Sequence, residues 1–260
     1  MAHGLAHGLG SDTVWLFGLH AVRDALANPR RTLRRLVLTP NARLRLAEGL
    51  DDGALDALDF PVETADPRRF PAPLDPGSVH QGAALEAAPL DWGALGPFCE
   101  RALAGPRPTL IALDRVTDPH NVGAILRSAE VFGAAAVIAP RHHSAPETGA
   151  LAKAASGALE RQPYLRPVNL GDALQTARRM GFATIGLDGA GDGDLDAAIG
   201  AVGKDPLVLV LGAEGPGLRA RTRSLCDHLA RIPAAGDFAS LNVSNAAAVA
   251  LYAAARRDKA

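Results

Sequence analysis

The sequence predicts an α/β protein, with a mainly parallel sheet flanked by helices and a small α/β domain in front of it. Three observations carry this. Strand-like and helix-like segments alternate along most of the chain. Two segments of the second half, TLIALD (Thr109–Asp114) and PLVLVLG (Pro206–Gly212), are continuous apolar runs, as strands covered on both faces are. A Pro- and Gly-bearing stretch, Pro89 to Pro108, divides a front region from a more regular back region. At 260 residues the chain has room for one large domain or two modest ones.

Taken in order, residues 1–13 read as a flexible tail and 14–85 as the front domain, with a linker over 86–107 and the main domain over 108–260. In the front domain, VWLF is a strand and His20–Ala27 a helix that ends before Pro29. Strands follow at Leu33–Thr39 and Phe60–Glu63, with a helix at Ala42–Leu50 between them and strand character again in Ser78–Leu90. In the main domain, the strand Thr109–Asp114 leads to a helix over Asn121–Phe132, with Gly133 at its C-terminal cap. The strand Ala135–Ile138, a helix at Pro146–Ala154 and the strand Tyr164–Val168 come next. Then follow the helix Gly171–Met180, the strands FATIGLD and PLVLVLG, a short helix at Leu218–Leu225 and the strand HLARIP. The alanine-rich stretch Asn242–Arg257 is the last helix.

Hydrophobic residues at 48% and charged residues at 21% exclude wholesale disorder. Aromatics are 4%, so aliphatic side chains must fill the core. The net charge of −1 shows no global basic excess, so a nucleic-acid partner must be met by local patches. Cys99 and Cys226 form neither a CxxC pair nor a disulfide framework, which fits a reducing, cytoplasmic setting. The opening MAHGLAHGLGSDT lacks the charged and apolar regions of a signal peptide. The longest apolar run, Ala246–Ala255, is shorter than the roughly 18 residues of a membrane span. Lysine occurs only at 153, 204 and 259. The arginine excess suits phosphate contacts, but a genomic base-composition bias is the stronger explanation.

Several motifs lead nowhere. GLDGAGDGDLD places Asp188, Asp192, Asp194 and Asp196 together, but an EF-hand begun at Asp192 would have Ala197 and Gly203 where Gly and Glu belong. It reads as a solvated loop. His142–His143 has no partner cluster, so no metal is expected. LGAEGPGL (Leu211–Leu218) lacks the Lys-Ser/Thr of a Walker A loop.

Three segments are left. In DRVTDPHNVGAILRSAEVFGA, Asn121 stands at a helix start and Arg127 nearly two turns in. They are ligand groups, or a plain cap and a surface ion-pair partner. LGAEGPGL leaves a buried strand where open α/β sheets bind ligands, and Glu214 is a charge that turn chemistry alone does not require. In IPAAGDFASLNVSNAAAVALY, Ser240 and Asn242 precede an apolar helix as capping or ligand candidates.

Together, in this order, the three segments resemble the motifs of the SpoU/TrmH family of RNA ribose 2′-O-methyltransferases, in the SPOUT superfamily. Asn121, Gly123 and Arg127 meet its Asn-x-Gly-x-x-x-Arg pattern; Gly212, Glu214, Gly215 and Gly217 meet its Gly-x-Glu-Gly-x-Gly loop. Ile232, Pro233 and Ser240–Ser244 meet its Ile-Pro…Ser-Leu-Asn-Val-Ser segment, while Asn245 replaces a commonly apolar residue. The front also resembles the family's small RNA-binding domain, through Phe17-Gly18-x-His20-Ala21-Val22 and Val79-His80-Gln81-Gly82. The layout is most similar to the branch that methylates a guanosine ribose in 23S ribosomal RNA; a transfer-RNA methyltransferase and a non-catalytic RNA-binding protein are the alternatives.

The resemblance implies a knotted SPOUT fold, S-adenosylmethionine (SAM) as cofactor and a homodimer with the site at its interface. It implies SAM contacts at Gly212, Gly217, Ile232 and Leu241. It assigns the chemistry to Arg127, Asn121, Glu214, Ser240 and Asn242, with Arg127 stabilising the developing alkoxide rather than acting as a base, because guanidinium stays protonated. RNA affinity is expected from the run Arg30-Arg31…Arg34-Arg35, whose alternative is a solvated surface.

Overall fold

The computed structural model describes residues 13–257, apart from 52, 75–76, 192 and 236–240. The expected tail thus lies outside the described residues save Thr13. The described chain forms two compact units, one of residues up to 91 with 147–153, the other of 92–146 with the residues from 154 onward.

In the first unit, β1 (Val14–Phe17), α1 (Leu19–Leu26), β2 (Leu33–Leu38), α2 (Pro40–Ala47), β3 (Val62–Thr64) and β4 (Ala83–Ala87) build a four-stranded sheet of order β1-β4-β2-β3. β4 pairs antiparallel with β1 and β2, and β2 pairs parallel with β3. Helix α1 buries Leu19, Ala21, Val22 and Ala25. Helix α2 starts where Thr39 accepts a hydrogen bond from the amide of Ala42 and Pro40 supplies a preset φ.

This unit divides the expected arginine patch, with Arg30 and Arg34 exposed. Arg31 is buried, pairs with Glu147 and donates to the carbonyl of Ala88 at 2.9 Å. Arg35 pairs with Glu63 and Glu86 and lies 4.9 Å from the ring centroid of Trp15. Two of the four arginines are thus structural ties, Arg31 in the turn before β2 and Arg35 within it.

The second unit opens with α3 (Leu95–Leu103), followed by β5 (Thr109–Asp114), α4 (Pro119–Val131), β6 (Ala136–Ile138), α5 (Gly149–Ala155) and α6 (Ala158–Arg161). Residues 149–153 of α5 cluster with the first unit. Then come β7 (Tyr164–Leu165), α7 (Leu170–Arg179), β8 (Ala183–Leu187), β9 (Gly193–Asp194), α8 (Leu195–Val202), β10 (Leu207–Gly212), α9 (Ala220–Arg223), β11 (His228–Arg231) and α10 (Val243–Arg256). The seven strands order as β7-β6-β5-β10-β8-β11-β9, and every pairing is parallel. β10, late in the chain, enters between β5 and β8, and α10 returns to pack on α4.

Three expectations change here. The stretch expected as a linker contains α3, whose Cys99 is fully buried with Leu95, Phe98 and Leu103 against the core under β5 and β10. The expected aspartate loop continues into α8, which buries Leu195, Ala198, Ile199 and Val202. The helix expected over Pro146–Ala154 is α5, and a second short helix that was not expected, α6, follows it after Gly157 in the left-handed region.

Candidate active site

Parallel sheets open their binding crevices at the carboxyl ends of the strands, where the order of connections reverses. The loops after β8, β10 and β11 meet there around a cavity of about 830 Å³. Gly212, Gly217, Ile232 and Leu241, all expected to hold the cofactor, line it together with Glu214.

The glycine loop owes its shape to close approach. A Cβ on Gly212 would lie 2.1 Å from the carbonyl carbon of Gly217, so the two ends of the loop touch only because residue 212 has no side chain. Gly217 takes φ of +66° and its amide donates to the carbonyl of Ala213 at 2.9 Å. The loop is fixed from below by a residue the sequence reading passed over. Asp114, fully buried at the end of β5, is in register with Gly212 and accepts from the Arg219 backbone amide (3.0 Å) and Nε (2.7 Å). One carboxylate therefore anchors the loop at its far end while its own strand pairs with the near end. Its sequence signal was a lone acid closing an apolar strand.

Glu214 joins the three motifs. Its Oε1 accepts from Asn121 Nδ2 (3.1 Å), Asn242 Nδ2 (2.5 Å) and the amide of Val243 (3.4 Å), and Asn242 Nδ2 also donates to Asn121 Oδ1 at 2.9 Å. Each partner is set by its element. Asn121 sits in the first turn of α4, which Asp118 caps through the amide of His120. Asn242 caps α10, accepting from the amide of Ser244 at 2.9 Å. The structure thus brings Asn121, Glu214 and Asn242 into one hydrogen-bonded group. Ser240 lies outside the described residues.

Arg127 stands apart. It is exposed on α4, does not line the cavity, and makes no hydrogen bond or ion pair with the described residues. It shares a helix face with Val131, four residues on, which is 75% exposed. The cavity also holds charges the sequence reading left in a solvated loop: Asp188 pairs with Arg223, and Asp194 with Arg231 at 3.3 Å. For Asp188, its place at the carboxyl edge of β8 was the signal that could have found it. Among the described residues no group of His, Cys, Asp or Glu is arranged to hold a metal, and no helix is long and apolar enough to cross a membrane.

Comparison with known proteins gives the same picture. Residues 108–252 match the SpoU rRNA Methylase family, and residues 15–92 match the RNA 2′-O ribose methyltransferase substrate-binding family. A 23S rRNA (guanosine-2′-O-)-methyltransferase RlmB of Ralstonia nicotianae is 38% identical over 242 residues, covering 93% of this chain and 95% of that protein. An uncharacterized tRNA/rRNA methyltransferase of Synechocystis is 39% identical over 91% of this chain, which spans 61% of that longer protein. The SpoU methyltransferase AviRb of Streptomyces viridochromogenes, solved with AdoMet, superposes with a TM-score of 0.77 at 24% identity, covering 96% of this chain and 91% of that one. With the motif residues gathered at one sheet edge and both family matches in chain order, the chain belongs to the SpoU family of RNA methylases.

Proposed function

We propose that the protein transfers a methyl group from SAM to the 2′-hydroxyl of a guanosine ribose in 23S ribosomal RNA, acting as a cytoplasmic homodimer. The observation that carries the reading is the union of the cavity with the Asn121–Glu214–Asn242 group, because Glu214 belongs to both.

The cavity suits the cofactor. Its volume of about 830 Å³ lies within the range of about 300–1,000 Å³ for small-molecule sites. Leu187, Leu211, Ile232 and Leu241 offer apolar walls, the glycine loop offers backbone at close range, and the Asp188–Arg223 pair offers charge for a zwitterion. Gly212, Gly217, Ile232 and Leu241 would hold SAM, which when bound supplies a methyl already activated by its sulfonium charge. The protein's own work is then alignment and charge management. Glu214 holds the amides of Asn121 and Asn242 in fixed orientation, and these position the ribose. Arg127, with no carboxylate partner among the described residues, stabilises the hydroxyl oxygen as negative charge develops, and water or a neighbouring phosphate takes the proton. Ser240 is a further polar residue that the family resemblance assigns to the chemistry.

The distance of Arg127 from the cavity accords with the dimer. Exposed Val131 on α4, with Val249 and Tyr252 on α10, forms an apolar strip on the same helix pair, so a second copy covering it would receive Arg127. The experiment is single-turnover methyl transfer to large-subunit ribosomal RNA, with SAM affinity measured by calorimetry. Arg127→Ala is expected to lose on the order of 100–1,000-fold in rate with SAM affinity near wild type. A variant keeping more than about a third of the wild-type rate removes Arg127 from the chemistry.

A further inference from the structure

We infer that the loops following β5, β6 and β7 form a rigid shelf that binds the RNA sugar-phosphate backbone, with Arg115, Arg141 and Arg166 as its phosphate ligands. This rests on the reading of the chain as an RNA methyltransferase and assigns the docking surface within it.

The first observation is how the arginines are spent. In the second unit several are neutralised: Arg161 by Glu130, Arg178 by Asp227, Arg219 by Asp114, Arg223 by Asp188 and Arg231 by Asp194. Arg115, Arg141 and Arg166 make no ion pair with a carboxylate among the described residues, and all three follow adjacent strands at the carboxyl edge of the sheet. Arg115 and Arg141 are exposed and Arg166 is half-buried.

The second observation is what holds them. Arg141 Nε donates to the carbonyl of Arg166 at 3.1 Å, and Arg166 NH2 donates back to the carbonyl of Arg141 at 3.1 Å. Arg166 also bonds the carbonyl of Ala145 and the Tyr164 hydroxyl, and lies 4.9 Å from the Tyr164 ring centroid. The Tyr164 hydroxyl donates to the same Ala145 carbonyl at 2.7 Å, and the Ala145 amide donates to Val116, next to Arg115, at 3.2 Å. A carbonyl orients a guanidinium but leaves its full charge available. The result is a preorganised pair of cations, Arg141 and Arg166, with Arg115 exposed beside them, an arrangement that favours bidentate phosphate binding.

The third observation is position. β5 lies between β6 and β10, so the shelf stands on one side of the Asn121–Glu214–Asn242 group and the cofactor cavity on the other. An RNA strand held on the shelf would bring a ribose to that group from the side opposite SAM.

The test is a salt series of binding to labelled, protein-free large-subunit ribosomal RNA, with SAM affinity as the folding control. Arg141→Ala and Arg115→Asn are the variants; Asn tolerates the φ of +62° at residue 115. Arg179→Ala, an exposed arginine at the end of α7 on the opposite sheet edge, is the control for generic charge. Each shelf variant is expected to weaken binding about fivefold at moderate salt and to reduce the salt slope by about 1, with Arg179→Ala unchanged. Arg141→Lys, which keeps the charge but not the guanidinium fork, should recover part of the loss. Equal effects from shelf and control variants would overturn the shelf alone, as would Arg141→Lys no better than Arg141→Ala. Wild-type protein that binds SAM but no RNA would overturn the functional reading and the shelf together.

Discussion

At Gly217 the backbone stands at φ +66° with open space around it, so a side chain there meets strain rather than a clash. Gly217→Val should raise the SAM dissociation constant on the order of tenfold or more, because a left-handed β-branched residue costs about 1–3 kcal/mol and the loop relaxes to escape it. Gly217→Asn should be milder, since Asn visits that region readily; calorimetry with equal losses in both variants would show that strain is not the cause. Chemistry is also quiet at the thiols. Burial pushes Cys99 up to about 11 and, with Asp227 adding to it, Cys226 up to about 12. Both should therefore resist a thiol reagent at neutral pH in the native protein and react once it is unfolded. Native-state labelling as fast as in denaturant would contradict this. The motif residues were legible at this scale because each has a type-specific task, whereas Asp114 was not, since one acid at a strand end has many meanings.

The elements are tied to one another through a few polar joints. Asp227, before β11, accepts from the amide (2.9 Å) and hydroxyl (2.8 Å) of Thr184 in β8 and from Arg178 in α7 (2.7 Å). Burial alone would raise this carboxyl, but the Thr184 hydrogen bonds and the Arg178 charge hold it below its ordinary 3.8. A carboxyl lowered in the folded state adds stability above its unfolded value, and that stability is lost as pH falls through the folded value. Melting temperature should thus fall as the wild type is acidified below about pH 4, and Asp227→Asn should melt lower at neutral pH but lose less on acidification. Parallel acid profiles for the two proteins would exclude the joint. Strands and helices such as Thr109–Asp114 and α10 were legible from period and capping, while α8 was hidden because its apolar residues follow a glycine- and aspartate-rich run.

For the whole molecule, the point of division matters. Trp92, Leu95 and Phe98 pack on the core of the second unit, so a chain shortened to begin at Trp92 should keep SAM affinity, whereas one beginning at Gly105 loses α3 and exposes that core. We expect the first to be soluble and to melt below the full chain, because Glu147–Lys153 loses the unit it clusters with, and the second to aggregate. Calorimetry and light scattering decide; equal behaviour of the two shortened chains would show that α3 is dispensable. With the shelf intact, the chain beginning at Trp92 should also keep salt-dependent RNA binding and lose selectivity.

The sequence by itself determined the α/β class, most strands and helices, and the three motifs, because apolar period, glycine spacing and capping residues are local properties. Tertiary structure decided how those pieces meet. Only the placement of β10 between β5 and β8 brings the glycine loop beside Asn121 and Asn242, residues separated by more than a hundred positions. Only folding buries Arg31 on Glu147 and leaves Arg115 and Arg141 without a carboxylate among the described residues. A string of arginines looks alike in sequence, but what each one does depends on whether the fold supplies a carboxylate to neutralise it or a carbonyl that only aims it.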